Sequence, residues 1–98
     1  MKTATHAVMF TDIEGFTERT SRQMRTENER MLRLHDGLLL PIIDALGGRR
    51  VKTIGDAYLV IFPSVQQALR CGAAIQDRLF EYNREVPEID RIGVRIAV

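Results

Sequence analysis

The most constraining feature of the sequence is a pair of short apolar runs that only three residues separate. Residues 50–54 and 58–62 are rich in Val and Ile, and Gly55-Asp56-Ala57 lies between them. A connection this short joins antiparallel neighbours, so the segment predicts a β-hairpin. Pro63 follows directly and ends the second strand. Any fold of this chain must therefore contain an antiparallel sheet.

Helical patterns flank the hairpin on both sides. Apolar residues recur at helical spacing from about residue 27 to residue 46, where Gly47-Gly48 supplies a stop. Pro41 inside this stretch removes one backbone hydrogen bond and predicts a kink. Beyond the hairpin, Ser64 and Gln67 match a capping box, which predicts the start of a second helix. The two predicted apolar faces comprise Met31, Leu38, Leu39, Ile42, Ile43 and Leu46 in the first helix, and Val65, Ala68, Leu69, Gly72, Ile75, Leu79 and Tyr82 in the second.

Two further strands are predicted near the ends of the sequence. Residues 7–10, or 6–11 at the widest, form an apolar run that Asp12, Glu14 and Gly15 end, and residues 92–98 alternate apolar and other residues. The order strand, helix, two strands, helix, strand is the split β-α-β pattern of ferredoxin-like α+β folds, an antiparallel sheet with helices on one face. Right-handed crossovers place the first strand in the middle of this sheet, beside the third.

Composition narrows the class of protein. The 98 residues suffice for one domain, and 45% hydrophobic with 28% charged residues is typical of a globular protein. A net charge of +1 without a basic cluster argues against a nucleic-acid partner. No apolar run is long enough for a membrane span, which predicts a cytoplasmic protein. The single cysteine, Cys71, lies in a helical pattern and is expected to be a packing residue.

Two carboxylates are candidates for metal binding. Asp12 ends the first strand, Asp56 lies in the hairpin before the third, and the topology puts both at the same end of adjacent strands. Two aspartates there suit a two-metal phosphoryl-transfer site, because Mg²⁺ prefers hard oxygen ligands. Taken alone, each Asp is more typical of a turn or a helix cap, so both interpretations stay open. Glu14 is expected to be solvated, and His35 to be packed or at a boundary.

Two segments resemble a known family. They read Val8-Met9-Phe10-Thr11-Asp12-Ile13-Glu14-Gly15-Phe16-Thr17 and Val51-Lys52-Thr53-Ile54-Gly55-Asp56-Ala57-Tyr58. In this order, with one helix and Gly47-Gly48 between them, they closely resemble the two opening motifs of class III adenylate and guanylate cyclases. The resemblance runs from about Ala7 to Val98, and residues 1–98 are interpreted as the amino-terminal part of the family's catalytic domain.

The resemblance implies an activity and a site. Asp12 and Asp56 would bind two divalent metal ions, Mg²⁺ or Mn²⁺, with the carbonyl of Ile13 as a further ligand, and the backbone of Gly15-Phe16-Thr17 would hold phosphates. Lys52 would bind the purine, and a Lys at this position favours ATP as the substrate. The implied reaction converts ATP to 3′,5′-cyclic AMP and pyrophosphate. Because the family's active site forms between two subunits, a homodimer is implied.

The same resemblance implies that the residues orienting the ribose follow Val98, so the chain is expected to have little activity alone. Three other classes stay open. They are a catalytically silent cyclase-like regulatory or dimerisation module, another two-metal nucleotidyl transferase such as a cyclic-dinucleotide synthase, and a ferredoxin-like domain without nucleotide chemistry.

Overall fold

The computed structural model describes residues 6–98, and in this range it has four strands and three helices. The elements are β1 (Ala7–Ile13), α1 (Phe16–Arg22), α2 (Arg25–Ala45), β2 (Arg49–Ile54), β3 (Ala57–Phe62), α3 (Val65–Arg84), a 3₁₀ turn (Glu88–Asp90) and β4 (Val94–Ala97). The predicted α+β order is confirmed, with α1 as the short helix that follows the first strand. None of the helices in the described range is long and apolar enough to cross a membrane.

The four strands form one antiparallel sheet in the order β2-β3-β1-β4. The first strand therefore lies in the middle, beside the third, as predicted. Its neighbours come from distant parts of the sequence: Thr11 pairs with Tyr58 of β3, and Asp12 pairs with Arg95 of β4. The edge strand β2 is exposed along its whole length.

The core lies between one face of the sheet and the helices. Alternate residues of β1 and β3 point inward and are buried, because successive side chains of a strand point to opposite faces. They meet the buried side of α2 and α3. The largest buried side chains include Met9, Ile13, Leu39, Ile43, Tyr58, Val60, Phe62 and Ile75. On the opposite, open face of the sheet, Val8 and Phe10 remain 48% and 41% exposed.

The predicted bounds of the first and the last strand differ from the structure. The first strand continues to Ile13, because β4 supplies Val94 and Arg95 as partners for Ile13 and Asp12. Asp12 thus lies inside the strand, and it does not end it. The last strand begins only at Val94. Before it, the backbone of Ile92 bonds with the side chain of Asn83, whose Oδ1 accepts from the amide at 2.9 Å and whose Nδ2 donates to the carbonyl at 2.8 Å.

The predicted apolar face of the last helix is partly wrong. Val65 and Leu69 are 55% and 56% exposed, whereas Cys71 is buried in line with Ala68 and Ile75. Leu69 follows Ala68 directly and so lies about 100° round the helix from it, on a side that is not buried. Burial raises the pKa of Cys71 to about 11, which keeps the thiol protonated. Cys71 is a packing residue, as predicted.

The long helix α2 ends where the two glycines predict. Gly47 has φ +81°, and the amide of Gly48 donates to the carbonyl of Ile43 at 2.9 Å, the bond that closes a Schellman motif. Gly48 directly precedes β2 and lies close to the ring of Phe62. The helix continues through Pro41, which lies on its exposed side.

Gly48→Ala is expected to destabilise the fold. A Cβ at this position would lie 2.6 Å from Cε1 of Phe62 and 2.9 Å from Cγ2 of Ile43, so the core must shift, at a cost of about 1–3 kcal/mol. Gly37→Ala is the matched control, because nothing lies within 4 Å of its added Cβ and alanine favours the helix by about 0.5–1 kcal/mol. Urea unfolding measures both. Equal stabilities of the two variants would contradict this packing.

Candidate functional site

The two candidate carboxylates lie at the end of the sheet where β1 ends and β3 begins. Asp56, in the turn before β3, accepts a hydrogen bond at Oδ2 from the backbone amide of Ile13, with an N–O distance of 2.6 Å. This bond connects the hairpin to the end of the central strand. It fixes the carboxylate of Asp56 beside the backbone that follows Asp12. The structure therefore brings the two residues to one place, as the topology predicted.

Asp12 points to the open face of the sheet and contacts Arg95. The two residues are directly opposite each other in the β1–β4 pairing. Nε of Arg95 lies 2.8 Å from Oδ1 of Asp12, and its second guanidinium nitrogen lies 3.2 Å from Oδ2. The hydrogen bonds and charge of Asp12 raise the pKa of Arg95 above its ordinary value. The carboxylate of Asp12 is thus paired with a cationic side chain.

A tight turn follows the central strand. Gly15 has φ +65°, a left-handed conformation that favours glycine, and helix α1 begins at the next residue. Within the described residues no side chain caps the start of α1. Phe16 packs partly against the core, whereas Thr17 is exposed. Glu14 is also exposed, as predicted for a solvated turn residue.

Lys52 is not brought to the aspartates of its own chain. It lies on the edge strand β2, is exposed, and pairs with Leu59, which in turn pairs with Phe10 of β1. Paired residues share a face, so Lys52 lies on the same open face as Asp12. Two strand spacings of ~4.8 Å separate their strands, which puts them roughly 10 Å apart or more. Within a single chain, Lys52 is therefore not beside Asp12.

The oxygen donors at this sheet end fit divalent metal ions. Two carboxylates and the carbonyl of Ile13 are hard ligands of the kind that Mg²⁺ and Mn²⁺ prefer. The described part of the chain contains no group of three or more His, Cys, Asp or Glu side chains that could hold a metal ion. Remaining ligands would thus have to come from backbone, water or substrate, which is usual for Mg²⁺ bound with a nucleotide.

A polar cluster that is only partly buried lies under the sheet, and the sequence pattern did not predict it. His35 of α2 is fully buried, with Nδ1 at 3.2 Å from Oδ1 of Asp36, and the hydroxyl of Tyr58 donates to the same carboxylate oxygen. Burial lowers the pKa of His35 and raises that of Tyr58. Across the described residues, Nε2 of His35 and Oγ1 of Thr11 are buried without a hydrogen-bond partner. Helical spacing predicted that His35 is packed or at a boundary, but it did not predict the partners of His35, which the folded structure shows.

The sequence pattern also did not predict that Arg95 lies at the site. The only signal in the sequence is that Arg95 is the one charged residue in the alternating run of residues 92–98. Its position opposite Asp12 depends on the register between β1 and β4, which the sequence pattern does not determine.

Comparison with known proteins decides the family. The model of the adenylate and guanylate cyclase catalytic domain family matches residues 2–98 of this chain. This chain belongs to that family. The chain is 54% identical over 91 residues to "Serine/threonine-protein kinase pkn2" of Myxococcus xanthus, a match that covers 93% of this chain and 11% of that protein. It is also 29% identical over 92 residues to "Putative adenylate cyclase 3" of Rhizobium meliloti (strain 1021), covering 94% of this chain and 16% of the relative.

A solved structure confirms the cyclase fold. The structure of a bacterial light-regulated adenylyl cyclase superimposes with a TM-score of 0.83 at 23% sequence identity, over 93% of this chain and 50% of that one. The cyclase-domain chain therefore spans half of that solved structure and between 11% and 16% of the two relatives.

The buried His35 predicts a pH-dependent stability. Its pKa in the folded cyclase domain lies below the ordinary value of 6.5, so the unfolded chain takes up a proton first as the pH falls. The free energy of unfolding should therefore decrease below pH ~6.5, by up to about 1.4 kcal/mol per pH unit. Urea unfolding between pH 7.5 and 5.5 measures this slope. His35→Asn should flatten it, and His6→Asn, at an exposed position, is the control; equal slopes in all three proteins would contradict the assignment.

Proposed function

We propose that this chain is the amino-terminal part of a cytoplasmic adenylate cyclase domain, which converts ATP to 3′,5′-cyclic AMP and pyrophosphate. The observation that carries the proposal is the position of Asp12 and Asp56 at one end of the two central strands. There the amide of Ile13, the residue after Asp12, donates to Asp56 at 2.6 Å. Family membership supports the reaction class, and Lys52 supports adenine over guanine.

In the proposed reaction the ribose 3′-oxygen attacks the α-phosphate. A new bond forms between the 3′-oxygen and the α-phosphorus. The bond from the α-phosphorus to the oxygen that bridges to the β-phosphate breaks, pyrophosphate leaves, and the proton of the 3′-hydroxyl passes to water. Two divalent ions, when bound, lower the pKa of the 3′-hydroxyl and stabilise charge on the phosphates. Asp12, Asp56 and the carbonyl of Ile13 would hold these ions. The backbone of Gly15, Phe16 and Thr17 would hold the phosphates next to them, because Gly15 leaves room for a close approach.

Base recognition is proposed to occur in a homodimer. Lys52 lies on the same open face as Asp12 but on the far edge strand, so it suits the active site of a partner subunit better than its own. The partly exposed Val8 and Phe10 on this face favour contact with a second copy. An ammonium group donates hydrogen bonds only, and adenine offers it an acceptor in N1.

A catalytically silent cyclase-like regulatory or dimerisation module is the second candidate. The observation that favours it is the contact of Arg95 with both carboxylate oxygens of Asp12, since this contact competes with a metal ion. The two functions are distinguished with a protein in which this chain is extended through the second half of the family domain. An adenylate cyclase would form cyclic AMP from ATP, and a silent module would form none.

Removal of either carboxylate charge should abolish catalysis. In the extended protein, Asp12→Asn and Asp56→Asn are each expected to lower kcat by about 100-fold or more, because the neutral amide binds a divalent ion poorly. The side chain of the Asp56→Asn variant still offers an oxygen to the amide of Ile13, so thermal stability should change little. Cyclic AMP formation with Mn²⁺ and ATP is the measurement. Asp77→Asn, on the exposed side of α3, is the matched control, and roughly a tenth or more of the rate in both variants would overturn the metal assignment.

Charge reversal at Lys52 tests the base assignment. Lys52→Glu should lower kcat/KM for ATP by roughly 100-fold or more, since the carboxylate cannot donate to adenine N1. Conversion to a good GTP enzyme is not expected from this one change. Arg49→Glu makes the same charge change on the same exposed strand and serves as the control. Equal kinetics of the two variants would remove Lys52 from the substrate site.

A further inference from the structure

One contact at the candidate metal site is unexpected for a metal ligand. Arg95 lies directly across from Asp12 in the sheet, and its guanidinium spans both carboxylate oxygens at 2.8 and 3.2 Å. The pair lies on the open face, where the side chain of Asp12 is 33% exposed and that of Arg95 is 66% exposed. The guanidinium therefore lies on the same side of the sheet as an incoming ion, and solvent reaches both groups.

We propose that Arg95 is a built-in competitor for the metal ligand Asp12, which a divalent cation has to displace before it binds. This inference rests on the proposed function, because it assigns a role to Arg95 in loading the same site.

The competition follows from charge and from geometry. A guanidinium fork that bonds both oxygens occupies one lone pair on each, so a cation meets a carboxylate that is already paired. A dication that bound without displacing the fork would lie beside a positive charge, which repels it. The ion therefore binds more weakly in both cases, whether it displaces the guanidinium or binds beside it. Asp56 differs, since its partner is the uncharged amide of Ile13.

Displacement is also sterically possible. Arg95 belongs to β4, which is four residues long, and its side chain is largely in solvent, so the guanidinium can turn away without opening the core. A displaced guanidinium stays on the open face beside Asp12. On this face the guanidinium would lie near the polyphosphate that accompanies the cation. The negative charge of the polyphosphate offsets the lost contact between Arg95 and Asp12. Arg95 thus favours loading of the ion together with its nucleotide over loading of the ion alone.

The test is Mn²⁺ binding to the 98-residue chain without nucleotide, measured by the electron paramagnetic resonance signal of the free ion. Arg95→Gln keeps the polarity and much of the length of the side chain but removes its charge, and should tighten Mn²⁺ binding roughly three- to tenfold. Arg95→Lys keeps the charge without the fork and should fall between. Circular dichroism checks that every variant is folded.

Arg78→Gln is the matched control, since it removes one positive charge from the exposed side of α3, in the helix layer. It should leave the Mn²⁺ affinity unchanged. Asp12→Asn should weaken Mn²⁺ binding in the wild-type background and remove the gain in the Arg95→Gln background. Unchanged or weaker binding by Arg95→Gln would overturn the inference, and so would an equal gain in Arg78→Gln.

A second measurement follows the guanidinium itself. In a titration with diamagnetic Mg²⁺, the Nε–H resonance of Arg95 should move at the concentrations at which the ion binds, because this group donates to Oδ1 of Asp12. A resonance that stays fixed while the site saturates would refute displacement. Neither measurement requires turnover, so absence of cyclic AMP formation would count against the proposed function and leave the role of Arg95 standing.

Discussion

The site depends on the position of β1 between two antiparallel neighbours. Both neighbours contribute to the end of this strand: the turn before β3 supplies Asp56, which bonds the amide of Ile13, and β4 supplies Arg95, which bonds Asp12. A strand at the edge of the sheet would receive only one of these contacts. The central position also buries the inward residues of β1, which makes its register costly to shift.

The two carboxylates are stabilised in different ways, and this difference matters for a metal site. Asp56 is fixed by a neutral donor of the main chain, which orients the group and leaves its charge in place. Asp12 is compensated by a largely exposed cationic side chain, that of Arg95, which reduces the local negative charge when no other cation is present. The bond from the main chain fixes the position of the Asp56 carboxylate. The ion pair between Asp12 and Arg95 limits the repulsion between neighbouring carboxylates.

Much of this arrangement could be predicted from the sequence, for identifiable reasons. The three-residue gap at Gly55-Asp56-Ala57 admits a hairpin, and the crossover rule then places the first strand beside the third. The ends of β1 and β4 could not be predicted, because they depend on which residues of two distant segments pair. The cluster of His35, Asp36 and Tyr58 also escaped prediction, since helical spacing predicts burial but not the polar partners on a strand.

The long sequence separation of these contacts has a consequence for how the molecule folds. Ile13 and Asp56 are 43 positions apart, and Asp12 and Arg95 are 83 positions apart. Among the four strands β1 is synthesised before the others, so it can gain its two neighbours only after the intervening helices have been made. Local helices form quickly, while pairing between distant strands is slow because the chain must close large loops first. Until both neighbours are in place, the apolar residues of β1 lack the partners that bury them in the folded domain.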